Sequence, residues 1–305
     1  MAKELTMEQK GKRAQANLVA NHIFRNAVCV FLCLLSIVPF WILFVNSTRD
    51  SVAIQSGLSL IPSTHFFENV EKLLYQCNEN VPLWRYMVNS FVIAGFSTIL
   101  TVYFSTMTAY GVNVYKFKGS KFAWAFIMAI MMIPAQVSSI GFFRFMYQMG
   151  LGNNYIPLII PAIASPSTIF FMKQYMESAL PLEIVDAARI DGSGEFKTFN
   201  EIAVPLMKPA VATQAIFAFI ASWNNFYTPS MILTGQDKYT LPMFVQLMRG
   251  ERFRSDYGII YVGLVITILP IFVVYFALSK YIIAGVALGG VKEYEEYEND
   301  KECRK

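Results

Sequence analysis

Charge is what this chain has least of. Only 15% of its 305 residues are Asp, Glu, Lys or Arg, against 55% hydrophobic residues and a mean hydropathy of +0.43. Soluble domains carry about 25% charged residues, so this shortage excludes an ordinary soluble fold and implies a polytopic membrane protein. Histidine is scarcer still, with His22 and His65 the only two. No His/Cys cluster for zinc or haem can be assembled from them. Among the four cysteines, Cys29 and Cys33 lie one helical turn apart in an apolar run, a spacing that reads as small-residue packing rather than as a redox or metal pair. A nucleotide-binding P-loop is missing too. The one Gly-Lys step, Gly11-Lys12, runs into Arg13 without the upstream glycine. Any uphill transport therefore needs ATP hydrolysed on another polypeptide.

What is present is length of apolar sequence. A bilayer crossing takes about 20 residues, and six stretches qualify: 26–46, 88–112, 122–143, 154–172, 210–231 and 258–279. None contains Asp, Glu, Lys, Arg or His. An ionisable side chain at mid-bilayer costs about 2.5 to 3.5 kcal/mol and persists where function demands it. Uncharged spans argue against proton coupling and intramembrane acid–base chemistry, and less strongly against sodium, which carbonyls and hydroxyls can hold. A secondary transporter or channel stays open as a weaker alternative. Residues 1–25 form a polar N-terminal segment, and the long first run reads as an anchor rather than a cleaved signal peptide. Most of the 25 Lys and Arg fall on one side if both termini are cytoplasmic. The fifth connection, which carries Lys238, Arg249, Arg252 and Arg254, fits this arrangement least.

Between the fourth and fifth spans lies a charged island, PLEIVDAARIDGSGEFKTFNEIAVPLMKP, from Pro181 to Pro209. Leu182, Val185 and Ala188 predict one short helix ending at Asp191-Gly192. A second is expected to start with Ser193 as N-cap, bury Phe196, Phe199 and Ile202, and stop before Pro205. Two such helices make an elbow whose apolar stripe is expected to be covered by a partner protein; an amphipathic pair lying on the membrane surface is the bland alternative.

Asp186-Ala187-Ala188, Gly192, then Ile202, Val204 and Pro205 resemble the EAA signature of inner-membrane subunits of binding-protein-dependent ABC importers. The likeness extends from residue 88 to 292 through Asn89-Ser90, Met132-Ile133-Pro134 with Gln136, Ser222-Trp223-Asn224-Asn225-Phe226 and Gly289-Gly290-Val291-Lys292, and the wider chain resembles the smaller, MalG-like permease of maltose-type sugar importers. Two positions depart from the signature: its glutamate is Asp186 and its leucine Val204. The resemblance implies an all-α six-span permease domain, 26–292, with a coupling loop at 177–208 and an acidic tail at 293–305. It implies a MalF-like second permease, two cytoplasmic ABC ATPases that carry ATP and Mg, and an extracytoplasmic sugar-binding protein, in the plasma (inner) membrane of a prokaryote. The chain itself would have no catalytic residue, bound cofactor, metal or nucleic-acid partner. Asp186, Ala187, Ala188, Arg189, Asp191, Gly192, Phe196, Phe199, Ile202 and Pro205 would form the ATPase-coupling element, with Phe196 and Phe199 as anchors in an apolar cleft.

Candidate path residues are Gln136, Gln214, Trp223, Asn224 and Asn225, since amides and aromatic faces meet sugar hydroxyls. Interhelical hydrogen bonding and an interfacial aromatic belt serve equally well as their explanation. Gly95, Ser97, Thr98 and Thr101 read as close-packing positions, and Pro134 and Pro161 as kinks. Arg249, Arg252 and Arg254 are candidates for contact with the binding protein, ordinary loop charge being the alternative. A permease for another polar solute, such as glycerol phosphate, is the nearest competing reading.

Overall fold

The computed structural model describes residues 7–78, 81–115, 117–250 and 256–302, with side chains described for 21–77, 81–115, 117–134, 137–250 and 256–279. Among the described residues all regular structure is helical. The order is α1 (Met7–Ser47), α2 (Ser51–Ser56), α3 (Phe66–Asn78), α4 (Leu83–Val114), α5 (Ser120–Met131), α6 (Ala135–Gln148), α7 (Ile156–Ile159), a 3-10 turn (Ile160–Ile163), α8 (Pro166–Ala179), α9 (Leu182–Ile190), α10 (Glu195–Thr198), a π segment (Phe199–Ala203), α11 (Val204–Leu206), α12 (Lys208–Trp223), α13 (Tyr227–Ile232), a 3-10 turn (Gln236–Lys238), α14 (Leu241–Met248) and α15 (Tyr257–Glu302).

Four of these stretches are long and apolar enough to cross a bilayer: Asn21–Ser47, Leu83–Val114, Ile156–Ala179 and Tyr257–Ser279. A fifth is reached if Glu195–Leu206 and Lys208–Trp223 count together, although they are bent by 82° at Met207. We take α12 as the spanning part, because Glu195, Lys197 and Glu201 set the preceding arm apart from lipid. The expected third span, 122–143, is not one helix. Pro134 cannot donate its amide to a continuing helix and stands as N-cap of α6, so the stretch divides into α5 and α6. Pro161 likewise sits in the 3-10 turn that joins α7 to α8. Among the described residues four stretches, or five with the bent pair, are thus long and apolar enough to cross a bilayer, against the six expected. The acidic segment expected as a tail prolongs α15 as far as Glu302, in keeping with the helix propensity of Glu and Lys.

The chain divides into two compact units, one from residues 1–73 and 251–265, the other from 74–250 and 266–305. In the first, Val45, Leu73, Ile259 and Val262 are fully buried. Arg49 is buried by capture rather than by ion pairing: it donates to Asn46 Oδ1 at 3.1 Å, to the Gly57 carbonyl at 3.0 Å and to the Ala53 carbonyl. Asn69 donates to the carbonyls of Ser47 and Arg49. At Gly258 a Cβ would fall 2.7 Å from the Asn69 amide nitrogen, so the start of α15 passes this point only as glycine.

The second unit is organised around α4. At about 1.5 Å per residue its 32 residues span about 48 Å, longer than a hydrocarbon core of about 30 Å. Ser97 and Thr101 donate to the carbonyls of Leu158 (3.2 Å) and Ala162 (2.9 Å), which satisfies backbone that the 3-10 turn frees from helical pairing. These are the close-packing roles expected of both residues. The main cluster of the core joins Tyr110, Met172, Met176, Leu180, Val185, Phe199 and Met207.

Candidate functional site

Two features of the second unit carry chemistry: the elbow at 181–209 and a cavity further along α4.

The elbow's first arm is α9, which ends in a Schellman motif. Ser193 N–H donates to the Ala188 carbonyl (2.9 Å) and Gly192 N–H to that of Arg189 (3.0 Å). Gly192 takes φ +77°, the left-handed region where a Cβ is unfavourable. The predicted end of this helix is therefore correct. The second arm differs from expectation. Its N-cap is Gly194 rather than Ser193, Phe196 is exposed rather than buried, and the helix carries Pro205 in its first-turn position in α11 instead of ending before it. The π segment allows this, since its i→i+5 pairing leaves carbonyl partners free upstream of the proline.

The apolar stripe also has a different destination from the one expected. Val185 and Ala188 are buried and Leu182 partly so, all against the chain's own helices rather than awaiting a partner. Phe199, expected as an anchor in a partner cleft, is 2% exposed and packs against Tyr103 and Tyr110 at centroid distances of 5.7 and 5.4 Å. The reason is geometric: the elbow folds back on α4 and α8, which supply the cover. Left facing outward are Ile184, Ile190 (86% exposed), Phe196 (69% exposed), Ala187 and Asp186. Asp191 and Pro205 are exposed as well, while Ile202 is half-buried.

Arg189 ties the elbow electrostatically. It reaches Asp186 Oδ1 at 3.0 Å and Glu195 Oε1 at 2.8 Å, so it links both arms across the glycine, and it lies 5.7 Å from the centroid of the Tyr115 ring. The Tyr115 hydroxyl donates to Glu195 Oε2 at 2.7 Å. Hydrogen bonds from Arg189 and then Tyr115 hold the Glu195 carboxyl below its ordinary range, and the carboxylate partners in turn push Arg189 up. Burial and the Glu195 carboxylate push the Tyr115 phenol up to about 12, so it remains a donor at neutral pH. Sequence reasoning missed Tyr115 and Glu195, because 80 residues of chain separate the two partners.

The cavity has a volume of about 660 Å³. Its polar lining includes Ser97 and Thr101 on α4, Ser138 and Ser139 on α6, Ser167 and Thr168 on α8, and Gln214 and Ser222 on α12. Asn225 and Thr228 join them, and Phe142, Phe143 and Phe217 supply aromatic faces. No charged side chain lines it among the described residues. Gln214 is 7% exposed and is a candidate that the structure does bring to the cavity wall. Asn225 is there too, its amide engaged with Thr228. Two candidates are not. Trp223 is 2% exposed and donates from its indole to the Thr267 carbonyl at 3.1 Å, stacked on Phe219 and edge-on to Phe91, so it holds helices together. Asn224, at the C-cap of α12, is exposed away from the cavity. Gln136 falls in the first turn of α6, but its side chain lies outside the described residues.

Of the basic loop residues, Arg249 is exposed at the C-cap of α14, whereas Arg252 and Arg254 lie outside the described residues. The loop leading to α14 is anchored to α4. Asn89 Nδ2 donates to the carbonyls of Asp237 and Tyr239, both at 2.9 Å, and Ser90 Oγ accepts from Leu241 N–H at 2.7 Å.

A chain with several helices long and apolar enough to cross a bilayer, an open cavity that carries hydroxyls and amides with no charged side chain among its described lining, and a glycine-jointed charged elbow has the parts of a solute-translocating subunit. The chain is a member of the family of binding-protein-dependent transport system inner membrane components, whose pattern matches residues 101–287. It is 36% identical over 265 residues to an arabinooligosaccharides transport system permease protein from Halalkalibacterium halodurans, covering 86% of this chain and 93% of that one. It is 30% identical to the trehalose/maltose transport system permease protein of Thermococcus litoralis, covering 90% and 96%. A crystal structure of a bacterial ABC transporter that imports the acidic polysaccharide alginate shares the fold, with a TM-score of 0.70 at 22% identity over 86% of this chain and 97% of that one.

Proposed function

We propose that this chain is the smaller permease subunit of an ATP-driven importer for an uncharged sugar or oligosaccharide. The observation that carries the reading is the cavity of about 660 Å³, walled by hydroxyls, amides and phenylalanine rings without a charged side chain among its described lining. Sugar hydroxyls are met by groups that both donate and accept, and sugar C–H faces by aromatic rings. An anionic solute such as glycerol phosphate would want Arg or Lys there. The names of the arabinooligosaccharide and trehalose/maltose relatives lend support from sequence.

The assembly comprises this chain, a homologous second permease, two ABC ATPases in the cytoplasm and an extracytoplasmic binding protein. Both termini and the elbow face the cytoplasm, as the distribution of Lys and Arg favours. ATP and Mg reside on the ATPases, and this chain binds no cofactor and catalyses no reaction. Asp186, Ala187, Ile190 and Phe196 form the docking face: an acidic charge for a cationic side chain of the ATPase, beside a low apolar surface with an aromatic anchor. Nucleotide-driven closure of the ATPases displaces the elbow, and the permease pair rocks between inward- and outward-facing states.

The test is an assembly carrying Asp186→Ala together with Gly192→Ala. The reading expects binding-protein-stimulated ATP hydrolysis to fall well below that of the wild type. Wild-type stimulation in that variant sinks the assignment of the elbow.

A further inference from the structure

The elbow is joined to the spans in two ways. One is the chain itself, from α8 through Leu180 and Pro181 into α9 and through Met207 into α12. The other is lateral and is not implied by connectivity: three tyrosines of α4 and its end meet the second arm at successive levels. Tyr103 donates to Asn200 Oδ1 at 3.2 Å. Tyr110, 3% exposed, packs on Phe199 together with Tyr103. Tyr115 donates to Glu195 at 2.7 Å. These residues run along about 18 Å of α4. Asn200 also donates to the Phe196 carbonyl at 2.8 Å, which fixes its amide so that Oδ1 faces Tyr103.

Meanwhile, for the second arm, the chain route is the softer of the two. The second arm contains a π segment, and it meets α12 at an 82° bend. Non-α pairing and a sharp break absorb displacement instead of passing it on. The α4 route has no such break, since its 32 residues are one continuous helix. Ile93, Ser97 and Thr101 of the same helix line the cavity, and Asn89 and Ser90 near its far end hold the loop before α14.

We infer that Tyr103, Tyr110 and Tyr115 are positioning residues that clamp the second arm of the elbow to α4, making α4 the element that delivers elbow movement to the cavity wall. The clamp carries the pull at two polar contacts, and Phe199 keeps the arm seated between them. Arg189 completes the clamp by binding Glu195 from the first arm, so a displacement of the docking face at Asp186 reaches Tyr115 through two ionic contacts.

The inference rests on the elbow being the ATPase-docking element, and the test separates the two. Tyr115→Phe removes one oxygen and keeps the ring beside Arg189; Glu195→Gln keeps the size of the acceptor; Tyr103→Phe probes the second contact should either of those lower the yield of assembly. Each variant is studied in the reconstituted full complex for co-purification of the ATPase, binding-protein-stimulated ATP hydrolysis and sugar taken up per ATP hydrolysed. None of these variants replaces a residue of the docking face, so co-purification is expected to stay at the wild-type level. Uptake per ATP is expected to fall by about 3- to 10-fold, in the range that residues along a coupled element show. Glu195→Gln also gives up the ion pair with Arg189, so the double variant Tyr115→Phe with Glu195→Gln is expected to lose less than the product of the two single losses, the Tyr115–Glu195 contact being common to both. Wild-type uptake per ATP in Tyr115→Phe and Tyr103→Phe, or losses that multiply in the double variant, overturn the clamp. Loss of ATPase co-purification in the clamp variants overturns it as well, because the residues would then belong to docking. The docking reading stands or falls separately, on the Asp186 and Gly192 variant.

Discussion

Replacing Gly192 with alanine is expected to loosen the elbow at a cost that is almost wholly backbone. A Cβ built there meets nothing within 4 Å, so no neighbour has to move. What changes is the dihedral: φ is +77°, and an L residue with a Cβ gives up about 1 to 2 kcal/mol in the left-handed region. The two hydrogen bonds of the Schellman motif, at 2.9 and 3.0 Å, form only while residue 192 stays left-handed. The local opening equilibrium should therefore shift by about 5- to 30-fold toward the frayed state. Hydrogen exchange of the amides at 192 and 193, measured in the assembled complex, reads this directly. Gly192→Asn provides the internal comparison, because asparagine tolerates the left-handed region better, and it should lose visibly less protection than Gly192→Ala. Equal protection in alanine and glycine forms refutes the strain argument. So would equal losses for asparagine and alanine, which would point to an effect of side-chain bulk that the empty surroundings do not allow.

Two further outcomes follow from the same structure. The Glu195 carboxyl is depressed by Arg189 and Tyr115, so its folded-state pKa lies below the ordinary 4.5. The stabilisation it gives is thus complete above that ordinary value and is lost as pH falls through the depressed one; elbow protection should be flat from neutral pH to about 5 and decline below it, while Glu195→Gln should abolish the decline. Trp223→Ala removes a fully enclosed indole and its bond to Thr267, which should cost about 3 to 5 kcal/mol and lower the thermal midpoint of the purified protein. Trp223→Phe should recover most of that loss, with sugar selectivity unchanged, because the residue lies off the cavity wall.

Much of this molecule was legible because its signals are local. The scarcity of charge gave the membrane class, hydropathy located the apolar stretches, and Asp191-Gly192 marked the bend that φ of Gly192 confirms. Partition of the third stretch at Pro134 was half legible: the proline was seen as a kink, but whether a kink becomes a break depends on what pairs with the freed backbone. Burial at the elbow was not legible. Val185, Ala188 and Phe199 form an apolar pattern whatever covers it, and the cover turned out to be α4 and α8 of the same chain. Trp223 misled for a related reason, since an indole beside two asparagines looks the same in sequence whether it faces solute or holds Thr267. Gln214 was legible because the fifth apolar stretch is the most polar one and an amide there suits sugar hydroxyls. The hydroxyls of Ser138, Ser139 and Ser167 on the cavity wall carry too weak a signal to single out from sequence.

The central claim, an uncharged path driven by ATP on a partner, is tested most directly by solute uptake into vesicles holding the full complex with its binding protein. The account predicts ATP-dependent accumulation of a neutral oligosaccharide and none of sn-glycerol 3-phosphate, with Gln214→Leu reducing the former several-fold, by about the value of one lost hydrogen bond of 0.5 to 1.5 kcal/mol. Accumulation of the anion in preference to the sugar, or uptake that persists when the ATPases are omitted, would contradict it.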